Sequence, residues 1–126
     1  MAIEGIELAK ACARAADGIK AVDVRIWDLR KVSTLTDFMV VCSGDSMPHL
    51  RAILRDVERN VTEEHDARPW NIEGKVDSRW VILDYVDVMV HIMDSGLREH
   101  YGLERLWGDA TAVEWQNGGI AARKVR

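Results

Sequence analysis

A chain of 126 residues with 48% apolar and 30% charged side chains is long enough for one domain with a sizeable core, and its composition is that of a soluble globular protein. No apolar run approaches the roughly 20 residues needed to cross a bilayer, and no secretory signal is visible at the start of the chain. The formal charge of −4 argues against a protein whose main partner is a nucleic-acid backbone, although it suits a basic protein partner.

The cysteines and histidines indicate neither a disulfide framework nor a metal site. Cys12 and Cys42 lie in apolar surroundings without a CxxC spacing, which favours a reduced, cytoplasmic setting. None of the four histidines has metal-ligand spacing, and neither cysteine lies near one of them in sequence. We therefore predict no metal and no cofactor.

The first half of the chain predicts a helix and two strands. Residues 2–16 are rich in alanine and end at Asp17-Gly18, which predicts a helix with a glycine stop. Residues 22–27 alternate apolar and polar side chains, as in a strand with one buried face. Residues 38–42 are apolar throughout, which predicts a central strand covered on both faces.

The second half predicts two helices and two further strands. A helix begins near Met47-Pro48 and carries the clearest apolar stripe of the chain. Residues 72–75 are typical of a turn. Two strand-like runs follow at 80–85 and 88–93, and Ser95 could cap a last helix that carries Leu97, Tyr101, Leu103, Leu106 and Trp107.

Together these elements predict an α/β fold, a single-domain mixed β-sheet flanked by helices. The domain is expected to comprise residues 1–109. Residues 110–126 are polar and small with a basic end, which predicts a loosely ordered C-terminal tail.

The two strands at 80–85 and 88–93 are the most informative part of the chain. A hairpin closed at Tyr85-Val86 places Trp80 opposite His91 and Asp84 opposite Asp87. One face is then uniformly aliphatic and belongs to the core. The other face is an amphipathic mixture that is either covered by a helix or offered to a partner; it carries Trp80, Ile82, Asp84, Asp87, Met89, His91 and Met93.

The turn of this hairpin allows two interpretations. Opposed carboxylates at Asp84 and Asp87 would destabilise the hairpin, and a basic partner would relieve that repulsion. The alternative is that both aspartates only solvate a turn. Val86 disfavours the positive φ of a two-residue turn, which leaves a longer turn and a different register open.

Four blocks of the sequence, in this order, resemble the Iojap family of ribosomal silencing factors. They are Asp37 to Ser46, Glu73-Gly74, Trp80 to His91, and Arg98 to Trp107. The resemblance covers the chain up to about Asp109. Val86 departs from it, because the family usually has glycine at that position.

The resemblance implies a fold similar to nucleotidyltransferases but without their catalytic residues. It implies binding to the large ribosomal subunit through large-subunit ribosomal protein fourteen, on the face where the subunits join. The bound factor would keep the small subunit away and repress translation under nutrient limitation. By their positions in the matching blocks, the residues expected to border the docking surface are Trp80, Asp84, Tyr85, Asp87, His91, Tyr101, Glu104 and Trp107.

An active nucleotidyltransferase is the alternative function. The turn Ser43-Gly44-Asp45-Ser46 before a helix could cradle a phosphate, and Asp84 and Asp87 could hold Mg²⁺. A plain strand-to-helix turn explains the same residues, and no acidic pair directly follows Gly44 as that chemistry requires. We therefore predict that the protein is not an enzyme.

Two further partners stay open. Arg51, Arg55 and Arg59 recur every four residues and could touch ribosomal RNA phosphates as a secondary contact. Asp56 and Glu58 interleave with them, as on a solvated helix face. The mixed face of the hairpin could also form a homodimer when the protein is free of the ribosome.

Overall fold

The computed structural model describes residues 3–116. The helices are α1 (Gly5–Gly18), α2 (Met47–His65) and α3 (Ser95–Tyr101). The strands in this part of the chain are β1 (Val22–Asp28), β2 (Phe38–Gly44), β3 (Asn71–Lys75), β4 (Trp80–Asp84), β5 (Val88–Asp94) and β6 (Thr111–Val113). Two short 3-10 helices span Val76–Ser78 and Leu103–Trp107.

Within residues 3–116 the strands form one six-stranded sheet in the order β3-β4-β5-β2-β1-β6. β2 and β5 run parallel, and every other neighbouring pair is antiparallel. All seven residues of β2 are buried, as their uninterrupted apolar character predicts for a strand covered on both faces. The predicted α/β fold with a single mixed sheet is confirmed.

The two faces of the sheet are covered to different extents. On the first, which we call the helix face, α1 and α2 pack against β2, β4 and β5 and form the larger hydrophobic core. On the opposite face, which we call the second face, a smaller cluster lies beneath the segment that follows α3. Its buried members are Leu29, Met39, Val41, Met93 and Leu103. The remainder of the second face, toward β4 and β3, has no comparable cover among the described residues.

Helix α2 begins where its sequence predicts. Ser46 is the N-cap, and its hydroxyl accepts a hydrogen bond of 3.2 Å from the His49 amide, while Pro48 lies in the first turn. The apolar stripe of α2 is buried in the core, and the helix ends at Asp66 in a left-handed conformation.

The hairpin of β4 and β5 has a different register from the predicted one. Trp80 pairs with Met93 and Asp84 with Met89, so each residue of β4 faces a partner two positions later than expected. The turn is centred at Val86-Asp87, one residue later than predicted, because the Tyr85 amide donates a 2.8 Å hydrogen bond to the Val88 carbonyl. A shift of two residues preserves the side on which each side chain points, and the predicted aliphatic face is buried as expected.

Three other predictions are wrong in part. Residues 71–75 form the edge strand β3, not a turn. The last helix is capped by Asp94, whose carboxylate accepts a 3.1 Å bond from the Leu97 amide, and it ends at Gly102, where φ is +57°. The predicted continuation to Trp107 is a separate 3-10 helix, since the left-handed Gly102 reverses the chain.

The described part of the predicted tail is ordered. β6 pairs with β1, and the Trp115 side chain is buried with its Nε1 donating a 3.2 Å hydrogen bond to the Val24 carbonyl. A short strand and one large aromatic therefore extend the domain beyond the expected boundary at residue 109. Residues 117–126 of the predicted tail lie outside the described residues.

Candidate functional site

The predicted docking residues on the second face centre on an aromatic patch, which we define as Trp80, His91 and Tyr101. Trp80 Nε1 donates a 3.0 Å hydrogen bond to His91 Nδ1. The rings of Trp80 and Tyr101 lie 5.4 Å apart at 45°, a common aromatic geometry. Trp80 is half-buried, and Tyr101 is 58% exposed. The sheet and α3 thus present a joint aromatic surface to solvent.

His91 is held neutral in this patch. Its side chain is buried, and burial lowers its pKa from 6.5 to about 4. An indole N–H can only donate, so Nδ1 must be the acceptor and the ring proton belongs to Nε2. His91 therefore contributes no charge to the patch at neutral pH.

The two aspartates of the hairpin accept hydrogen bonds from backbone amides, one within the turn and one at the start of α1. The carboxylate of Asp84, which is only 8% exposed, accepts a 2.8 Å bond from the Val86 amide. Asp87 accepts a 2.6 Å bond from the amide of Gly5 at the start of α1. The expected opposition of Asp84 and Asp87 is wrong, because Asp84 pairs with Met89.

Val86 lies at the tip of this turn in a conformation that disfavours valine. Its φ is +79°, and the Asp87 amide donates to the Tyr85 carbonyl across it at 3.1 Å, which makes a γ-turn. The Thr36 hydroxyl also donates to the Val86 carbonyl at 3.2 Å. The side chain of Val86 is 61% exposed. The turn is therefore tight and strained, and it is held by hydrogen bonds from both sides.

Tyr85 points away from the second face. It is 7% exposed and belongs to the core between the helices and the sheet, beside Cys12. Burial raises the pKa of its phenol well above the usual range. Its position in the sequence block predicted a border residue of the docking surface, whereas its side chain is inside the domain.

Glu104 forms a partly buried ion pair with Arg98, and its bond to Trp27 attaches the segment after α3 to the sheet. Its carboxylate accepts bonds from Arg98 Nε at 3.1 Å and from Trp27 Nε1 at 3.1 Å. The Arg98 guanidinium is itself buried and also donates to the Asp23 carbonyl at 2.8 Å and to the Ser43 hydroxyl at 3.1 Å. Glu104 thus stabilises the element that carries Tyr101.

Arg98 is the residue of this region that the site prediction omitted. Arg98 and Glu104 are six positions apart, which is not a spacing at which side chains of one helix meet. They approach because Gly102 turns the chain between them. No local pattern therefore signalled the pair.

The structure does not bring together the residues that were considered for nucleotidyl transfer, which are the Gly44 turn, Asp84 and Asp87. β2 and β5 are parallel with Phe38 level with Val88, so Asp84 and Asp87 lie at the opposite end of β2 from Gly44. Six residues of strand span about 20 Å, too far for one catalytic centre. Among residues 3–116 no group of three potential ligands could hold a metal ion.

The turn at Gly44 is closely packed against α2. Gly44 is buried, and a Cβ at this position would lie 3.0 Å from the Leu50 side chain. The Asp45 amide donates to His49 Nδ1 at 3.3 Å, and the His49 amide to Ser46. Two of the amide donors of this turn are thus used inside the protein, as in a plain strand-to-helix turn.

The structure therefore divides the eight predicted residues. Trp80, His91 and Tyr101 come together on the second face, and Glu104 lies in the segment after α3, where it binds Arg98 and Trp27. Asp84 and Asp87 belong to the hairpin turn. Tyr85 is in the core, and the side chain of Trp107 lies outside the described residues.

Comparison with known proteins gives a consistent result. The family model described as "Ribosomal silencing factor during starvation" matches residues 2–125. The ribosomal silencing factor RsfS of Halalkalibacterium halodurans is 35% identical over 108 residues, which make up 86% of this chain and 92% of that relative. The protein of the same name from Bacillus subtilis is 33% identical over 109 residues, with coverage of 86% and 92%.

Solved structures are similar in fold as well as in sequence. A crystal structure of a protein from Chromobacterium violaceum superposes with a TM-score of 0.79 at 32% identity. The superposition covers 84% of this chain and 88% of the other. Because the superposition covers most of both chains, the similarity extends over most of the domain and is not confined to one motif.

Proposed function

Since this chain belongs to the ribosomal silencing factor family, we propose that it binds the large ribosomal subunit through large-subunit ribosomal protein fourteen and sterically blocks subunit joining. Translation is then repressed when nutrients are limiting. The family membership confirms the resemblance that the four sequence blocks carry. Ribosome silencing is the role named for the relatives, and the partner protein and the steric mechanism are our proposal.

The observation that supports a docking role is the aromatic patch. Trp80 and Tyr101 are rigid, large and partly exposed, and such side chains are frequent anchors at protein interfaces. His91 supplies a neutral donor beside them. We place the docking surface on the second face around these three residues.

The remaining predicted residues have different roles in this proposal. Asp84 and Asp87 shape the hairpin at the edge of the docking surface, and Glu104 positions the segment after α3. Trp107 stays a proposed docking residue because of its place in the sequence block. Tyr85 is omitted, since its buried side chain has no access to a partner.

We also propose that the protein acts in the cytoplasm and has no catalytic activity. No helix within residues 3–116 is long and apolar enough to cross a membrane. The separation of Gly44 from Asp84 and Asp87 supports this part of the proposal, because the nucleotidyltransferase alternative requires these residues in one site. A homodimer of the free protein would compete for the same second face.

A joining assay tests the proposal. Purified large and small subunits are mixed with the protein, and joined ribosomes are separated from free subunits on a sucrose gradient. The protein should sediment with free large subunits, lower the amount of joined ribosomes and bind isolated ribosomal protein fourteen. Comigration with small subunits alone, or no change in joining at saturating protein, would refute the proposal.

A further inference from the structure

A second surface lies along the outer flank of α2, on the helix-covered side of the sheet. A groove of about 460 Å³ runs beside the helix, and we call it the arginine groove. It is lined by Arg51, Leu54, Arg55, Glu58, Arg59, Thr62, Glu63 and Arg68. Successive arginines of the helix are one turn apart, about 6 Å of rise, and the row spans about 12 Å.

The arginine groove is positive in a protein that is negative overall. Four arginines against two glutamates and the adjacent Asp56 leave one positive charge in excess along the groove, while the whole chain has a formal charge of −4. Arg55 and Arg59 share the single carboxylate of Asp56, at 3.4 and 3.2 Å. Arg51 and Arg68 form no salt bridge within residues 3–116. The positive charges of Arg51 and Arg68 are therefore not neutralised by a carboxylate of the described residues.

An exposed aromatic follows directly on the groove. Trp70 stands two residues after Arg68, and 74% of its surface is exposed. Its backbone is fixed, because its amide donates a 2.7 Å hydrogen bond to the Asp84 carbonyl. A fixed backbone with a solvent-exposed indole provides a flat stacking surface two residues along the chain from Arg68.

We propose that the arginine groove and Trp70 bind single-stranded RNA, the arginines contacting phosphates and the indole stacking on a base. Proteins that bind single strands without sequence preference combine a cationic groove with aromatic side chains in this way. An acidic protein segment would use the arginines but has no base to stack on Trp70, which is why the aromatic favours RNA. The groove and the aromatic patch lie on opposite faces of the sheet, so RNA binding does not depend on the proposed docking to ribosomal protein fourteen.

Fluorescence anisotropy with a labelled single-stranded oligouridine tests the proposal without any ribosomal protein. The variant Arg51→Gln with Arg68→Gln should bind at least tenfold more weakly than the unchanged chain. Loss of two phosphate contacts should lower the slope of log affinity against log salt by about 1.4. Trp70→Ala should lose about tenfold in affinity with the slope unchanged, because stacking carries no charge.

The matched control is Lys20→Gln with Lys31→Gln, which removes the same number of exposed positive charges outside the groove. It should bind the oligonucleotide within about twofold of the unchanged chain. Circular dichroism melts verify that all variants are folded. The proposal is overturned if the unchanged chain does not bind the oligonucleotide, or if the groove variant and the control weaken equally. It is also overturned if a labelled polyglutamate binds as tightly as RNA and Trp70→Ala has no effect.

Discussion

The indole Nε1 of Trp80 and Nδ1 of His91 are joined by a 3.0 Å hydrogen bond between neighbouring strands. This bond requires a neutral imidazole, because a protonated ring has no acceptor to offer. The geometry of the aromatic patch and the stability of the fold therefore both depend on the protonation state of His91.

Acid should destabilise the protein through His91. The pKa of this side chain is about 4 in the folded protein and 6.5 in its ordinary state, so the unfolded chain takes up the proton first. Stability is then unaffected by this group above pH 6.5 and falls by about 3 kcal/mol as the pH drops from 6.5 to 4. His91→Gln keeps an acceptor for Trp80 and does not titrate. Urea unfolding at pH 7.5 and 4.5 should show a clearly smaller loss for the variant, and an equal loss would contradict the role of His91.

Replacing Tyr101 should separate binding from stability. The ring is 58% exposed, so Tyr101→Ala should lower the free energy of unfolding by no more than about 1 kcal/mol. Binding to ribosomal protein fourteen should weaken at least tenfold if the ring is an interface anchor. Leu35→Ala, which truncates another exposed apolar side chain, is the control for calorimetry. Equal affinities of the two variants would move the docking surface elsewhere.

Asp84 should matter for folding before it matters for docking. Asp84→Ala removes the carboxylate that accepts the partly buried hydrogen bond from the Val86 amide and should cost about 1 to 3 kcal/mol. Asp77→Ala removes an exposed carboxylate and should change stability by less than about 0.5 kcal/mol. Thermal denaturation measures both. A neutral effect at Asp84 would favour the solvated turn over the hydrogen-bonded one.

Val86→Gly should stabilise the protein. Valine at φ +79° stores strain of about 1 to 3 kcal/mol, whereas glycine adopts this conformation freely and loses about 0.5 to 1 kcal/mol through chain entropy. A net gain near 1 kcal/mol is expected in chemical denaturation. Val32→Gly, at another exposed turn valine whose φ is not positive, should destabilise instead. Loss of stability at Val86 would show that the γ-turn is not strained.

The Arg98–Glu104 pair should be strongly coupled. Arg98→Met removes a buried guanidinium and should cost about 3 kcal/mol, because the partly buried Glu104 carboxylate loses its charge partner and the Asp23 carbonyl and Ser43 hydroxyl lose a donor. Adding Glu104→Gln should recover part of this loss, as measured by a double-mutant cycle. Additive losses would mean that the two side chains stabilise the protein independently.

Local patterns in the sequence were sufficient for the first two helices, for the strands β1, β2, β4 and β5, and for the faces of the central hairpin. Side chains of a strand alternate strictly, so the aliphatic set of β4 and β5 is buried even though the register differs by two residues. The burial of residues 38–42 likewise follows from their uninterrupted apolar character, and the burial of the α2 stripe follows from its helical periodicity.

Tertiary structure alone decided the register and the role of each candidate site residue. The carboxylate of Asp87 meets the amide of Gly5, 82 positions away, and Arg98 reaches the Asp23 carbonyl across 75 positions. Edge strand β3 is short and mostly polar and edge strand β6 has only three residues, and pairing with a neighbouring strand is what makes them strands. Whether a polar residue at a given position binds a partner or holds the fold together depends on which distant group supplies its hydrogen bond, because a buried polar atom requires such a partner and the chain's local order does not specify it.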